Sequence, residues 1–198
     1  MRISCRYSGK GTFYESNRRK MFIARQKKQE NIAEYLLYMW QLEDILRSCR
    51  LDIHLVEQAL IAPAGYSEEQ KKEVREWYEG LLMMMKSEGI QQQGHLQINK
   101  NLLLDLTDLH RSLLKDARES QYIEAFYKAL PAIVEFRSKS GHQDVSELEA
   151  CFTALYGYLL LKLQKKEISK ETETATKQIS HLLALLSQKY KTRDLEPE

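Results

Sequence analysis

The chain has 198 residues, 43% hydrophobic and 29% charged, with 30 Lys and Arg against 28 Asp and Glu for a formal net charge of +2. That balance excludes a disordered polymer, and 8 Gly and 3 Pro are too few for an all-β chain, which needs turn residues about every ten positions. No apolar run reaches the ~20 residues that span a bilayer, so no membrane partner is expected.

Charge is unevenly spread. Arg2, Arg6, Lys10, Arg18, Arg19 and Lys20 against Glu15 give residues 1–20 a balance of +5, which leaves −3 for Met21 onward. Helical patterning begins at Met21. Residues 1–20 are therefore expected to be a basic, unstructured extension with Met21 as the true start, the other reading being a real basic tail. Residues 21–191 should form a single helical domain, and 192–198 a tail. Cys5, Cys49 and Cys151 are odd in number and form no CxxC pair, which points to a reducing cytoplasm, and Cys151 lies within an apolar stripe as a small core residue.

A first helix is predicted over Phe22 to Arg47, about 39 Å long, with Ile32, Leu36, Met39, Leu42 and Leu46 along one face. A short second helix over Asp52 to Ile61 starts on an Asp cap and stops before Pro63 and Gly65. Ser67 and Gln70 form a capping box opening a third helix with the stripe Val74, Trp77, Leu81 and Met84, closed by Gly89. The stretch from Gly89 to Asn99 is irregular, and Leu96 and Ile98 are expected to tuck against the bundle. A fourth helix carries Leu102, Leu106, Leu109 and Leu113. The fifth, Gln121 to Lys139, carries Ile123, Phe126, Leu130 and Val134 and should bend at Pro131. The sixth opens at Ser146 and buries Leu148, Phe152, Leu155, Leu159 and Leu163. The seventh, after Ser169, buries Ala175, Ile179, Leu182, Leu186 and Tyr190. The class is thus all-α, an antiparallel bundle of about seven helices with no sheet.

Motifs for chemistry are scarce. No His follows a Glu by three residues, and HExxH, CxxC and Cys/His fingers are missing, so no metal site is expected. There is no P-loop, GxGxxG or GxSxG, and no cofactor is expected. Asp105, Asp108 and His110 fall within six residues, but Asp108 and His110 sit about 200° apart on a helix. Glu43 and Asp44 stand in a strongly apolar helix behind Tyr35, Tyr38 and Trp40. Buried carboxylates of that kind mark functional sites, while at a helix rim they are merely solvated. The loop offers His95 and Asn99 as their partners. Trp40, Glu43, Asp44, His95 and Asn99 are accordingly the candidate polar site. Arg18, Arg19, Lys20, Arg25, Lys27 and Lys28 are a basic cluster at a helix start, but the helix that follows them downstream is acidic and a poor reader of DNA. Met83, Met84 and Met85 are adaptable apolar surface, fit for core filling or a partner groove.

Two runs carry a family likeness: IARQKKQENIAEYLLYMWQLEDILRS (Ile23 to Ser48) and MMKSEGIQQQGHLQINKNLLLDLTDLH (Met84 to His110). They resemble an uncharacterised bacterial family of helical proteins, a domain of unknown function, over about Met21 to Tyr190. The resemblance implies an all-helical cytoplasmic protein of unknown activity, with no catalytic or binding residues to carry over. The leading expectation is a non-enzymatic protein acting through contacts with itself or another protein. The first alternative is an enzyme or small-ligand binder with its site between the first helix and the 89–99 loop. The second is nucleic-acid binding through the basic first turns.

Overall fold

The computed structural model describes residues 20–141 and 144–193. All but the last residue of the basic extension, and residues 194–198 of the tail, lie outside that range. The described residues form eight α-helices and no strand: α1 (Lys20–Glu30), α2 (Ile32–Ser48), α3 (Ile53–Val56), α4 (Glu68–Ser87), α5 (Gln97–Lys115), α6 (Ser120–Ser140), α7 (Glu147–Leu163) and α8 (Lys170–Arg193). They group into two compact units, one of residues 20–27 and 38–99, the other of residues 28–37 and 100–193. No helix among the described residues is long and apolar enough to cross a membrane.

In the first unit, Asp52 accepts from the His54 N–H to start α3, which widens into a π-helical turn over Glu57–Ile61 and tightens to a 3₁₀ turn at Ala62–Ala64. Both halves of the Ser67–Gln70 capping box are present at the head of α4, and Gly89 follows that helix at φ 69°. Only Asn31 separates α1 from α2, where the sequence suggested one helix. Its side-chain oxygen accepts from the Glu34 N–H at 3.1 Å, so the residue acts as an N-cap and restarts the helix. The α2 stripe of Ile32, Leu36, Met39, Leu42 and Leu46 is buried along its whole length. In α4 the core rotates by one residue. Tyr78, Leu82 and Met85 are buried beside Val74 and Leu81, while Trp77 is half-buried and Met84 and Met83 reach solvent.

In the second unit, Leu106 and Leu113 are buried on α5 together with Thr107 and His110, which displace Leu102 and Leu109 to the rim. Helix α6 runs through Pro131 without a break and buries Tyr122, Ala125, Phe126, Ala129 and Ile133. Phe126 apart, the expected stripe is therefore not the core face. Ile123 and Leu130 are half-buried, while Tyr127 and Val134 are 63% and 56% exposed. Helix α7 starts on Ser146, which accepts from the Glu149 N–H, and buries Leu148, Ala150, Cys151 and Phe152. From Leu155 onward it is less enclosed: Leu155, Leu159 and Leu163 are half-buried, where full burial was expected. Ile179, Leu182 and Leu186 are buried on α8, and Ala175 and Tyr190 lie at its margin. Cys49 and Cys151 are buried and not joined in a disulfide, and burial pushes the Cys151 thiol up to about 12, which makes it an inert core residue.

Candidate functional site

Helix α2 carries a carboxylate on its buried face. Glu43 lies four residues after Met39 and three before Leu46, so the helical period that buries those side chains buries it too, to 1% exposure. A buried carboxylate is stable only if its lone pairs are met by donors. Three meet it here, all from the segment entering α5. His95 Nδ1 lies 2.6 Å from Oε2, and the Leu96 N–H and Asn99 Nδ2 donate to Oε1 at 3.1 and 2.7 Å. Trp40, one turn earlier on α2, stacks on the His95 ring at 4.1 Å between centroids and 13° between planes. Trp40, Glu43, His95 and Asn99 thus come together. Asp44, one residue further round the helix, does not. It is exposed and pairs with Arg47 at 2.6 Å.

Arg47 holds the same loop at its other end. Its Nε donates to the Ile90 carbonyl at 3.2 Å, and its Nη2 donates to the Gly94 carbonyl. The segment 90–96 is therefore clasped along α2 by a guanidinium and a carboxylate one turn apart. Leu96 is fully buried beneath the clasp, whereas Ile98, on the first turn of α5, is exposed rather than tucked. Arg47 and Glu88 did not stand out in the sequence. The signal available was the i, i+4 spacing of Glu43 and Arg47, which resembles an ordinary helix pair.

The arrangement completes a helix terminus. The first N–H groups of α5 have no partner within the helix and carry its positive dipole end. Glu88 Oε2 accepts from the Gln97 N–H at 2.7 Å and Glu43 from the Leu96 N–H, so two of the chain's own carboxylates occupy the place where an anion would dock. The Glu43 contact also orients the His95 ring, whose side chain is 33% exposed. Asn99 Oδ1 is a buried acceptor with no hydrogen-bond partner among the described residues.

The run from Asp105 to His110 disperses. Asp105 makes a two-pronged pair with Arg193, both contacts 3.0 Å, and that guanidinium holds its carboxyl below the usual range. Asp108 is exposed beside Arg111. His110 is buried against Phe126, with Nδ1 2.7 Å from the Tyr122 hydroxyl. Burial is the main force lowering the His110 pKa from 6.5. Glu147 opposes it and Arg111 assists. The folded state therefore prefers neutral His110, and the unfolded state takes the proton first as pH falls. Stability from this residue is present above pH 6.5 and declines below it. The drop in unfolding free energy between pH 7 and 5.5 should shrink in His110→Gln, measured by urea titration. An unchanged drop would exclude His110 as its source.

No three His, Cys, Asp or Glu side chains among the described residues converge as a metal set. Arg25, from the basic cluster, pairs with Glu73 at 3.2 Å, while Arg18 and Arg19 lie outside the described residues.

Fold and site together define an all-α protein in which a buried polar cluster clasps a loop onto a helix. Residues 21–196 match the family described as domain of unknown function (DUF4924), and the chain belongs to that family. No curated protein and no solved structure matches it significantly.

Proposed function

We propose that this chain is a non-enzymatic cytoplasmic protein that works by binding protein, through the solvent-facing side of α6. One observation carries the reading. Besides its buried face, α6 presents Ile123, Tyr127, Leu130 and Val134 at spacings of 4, 3 and 4, the a/d repeat of a helix that expects another helix. Isolated exposed apolar residues need no explanation, but a seam at heptad spacing on a helix already supplied with a core face does. The half-buried apolar end of α7 lies in the same unit. The Glu43 cluster supports the same reading from the other side, because its carboxylate is committed to three donors of its own chain.

A photo-reactive phenylalanine analogue in place of Tyr127 tests this in cells. Illumination should yield a protein adduct from position 127 and none from Lys115, an exposed polar control. No adduct at 127, or equal adducts at both, would refute it. A small-ligand reading is favoured by Asn99 Oδ1 alone, the buried acceptor without a donor. It predicts that polar substitutions at Glu43 leave stability unchanged or raise it.

A further inference from the structure

We infer that His95 is a site of covalent modification, its Nε2 adding to the β-carbon of a neutral α,β-unsaturated carbonyl compound. Glu43 fixes which ring nitrogen reacts. Its Oε2 lies 2.6 Å from Nδ1, and a carboxylate oxygen only accepts, so the ring proton sits on Nδ1. The lone pair is then on Nε2. Among the described residues nothing bonds to that nitrogen, and it is not one of the buried atoms left without a partner. It therefore belongs to the solvent-open part of a side chain that is 33% exposed. The Trp40 stack fixes the plane of the ring, and the clasp pins the backbone on either side at Gly94 and Leu96. The nucleophile is thus presented in one orientation.

Attack turns the imidazole into an imidazolium, and the buried Glu43 carboxylate stabilises that charge better than a solvated one would. The class of electrophile follows from the same surroundings. A phosphoryl donor would bring negative charge to a helix end already held by Glu43 and Glu88. Acyl transfer needs donors for an oxyanion, and those two carboxylates take the Leu96 and Gln97 N–H groups that could serve. Conjugate addition needs neither. Nε2 bonds to the β-carbon, and the C=C π pair moves to the α-carbon. That carbon takes a proton from water and releases hydroxide, while the ring keeps its Nδ1 proton against Glu43. No leaving group departs, so the chain is modified rather than turned over.

The test treats the full chain briefly with acrolein, reduces it with borohydride and maps the adducts by mass spectrometry. His54 and His181 are exposed and serve as internal controls, His54 lying 3.5 Å from a Glu57 that water reaches. His95 should be labelled at least about tenfold faster than either, the scale on which a carboxylate partner tunes an imidazole. In urea, where Glu43 no longer meets the ring, the three should react alike. In Glu43→Gln the preference for His95 should fall about tenfold, with buried His110 still unlabelled in a folded variant. Labelling of His110 would mark that variant as unfolded, and the native chain against the urea-unfolded chain then decides alone. Native His95 reacting no faster than His54 and His181 would overturn the proposal. So would a preference that survives in urea or in folded Glu43→Gln.

Discussion

Glu43→Ala should lower the unfolding free energy by about 3–5 kcal/mol, the range for removing one member of a buried, hydrogen-bonded ionic cluster. The loss has two parts. The Leu96 N–H and Asn99 Nδ2 are buried and would lose their acceptor, each at about 1–3 kcal/mol. The His95 contact contributes less because its ring is partly solvated. His95→Ala should therefore cost only about 1 kcal/mol, from the hydrogen bond and the Trp40 stack together. Glu43→Gln should fall between the two, since an amide oxygen still accepts from Leu96 and Asn99. Urea unfolding followed by tryptophan fluorescence ranks the three. A cost below about 1 kcal/mol for Glu43→Ala would mean that the clasp does not hold the loop. Unchanged or increased stability in Glu43→Gln, His95→Ala would support the small-ligand reading.

Leu106→Ala should cost about 2–5 kcal/mol, while Leu155→Ala should cost about 1–2. The two leucines are the same side chain at the middle of an apolar helix, so burial alone separates them. Leu106 is fully enclosed on α5, and its truncation leaves a cavity that the surrounding helices close only in part. Leu155 is only half-buried, so less area leaves water on folding. Calorimetric midpoints of the two variants check the order. Equal losses would place Leu155 in a packed interface that the isolated chain does not show.

The parts legible in the sequence were those fixed by local chemistry. Ser67, Ser146 and Asp52 each start a helix through their own side chains, and Gly89 and Gly141 adopt the left-handed turn that other residues resist. The α2 stripe was legible because that helix has one continuous apolar face. Helix α6 carries two apolar stripes, and periodicity does not say which one turns inward. The choice depends on what the second unit offers for packing, which no local window contains. Helix α7 is apolar almost all round, so its phase was weaker still. The Asn31 break was missed because the apolar spacing continues across it. The proximity of Glu43 to His95 and Asn99 followed from the buried phase of position 43 and from a loop rich in hydrogen-bonding groups. The role of Arg47 depended on where Ile90 and Gly94 place their carbonyls, which only the backbone reveals.

The start of α2 depends on the far end of the chain. The Ala33 N–H, one of the donors with no partner inside its own helix, donates to Ser187 Oγ on α8 at 3.2 Å, and that hydroxyl donates in turn to Leu183 O. The two residues are 154 positions apart. A ribosome adding about 5–20 residues per second needs on the order of 8–30 s to travel between them. Throughout that interval the Ala33 N–H lacks its hydroxyl acceptor. The head of α2 is therefore completed only once Ser187 has been made, and until then the Asn31 cap serves it alone.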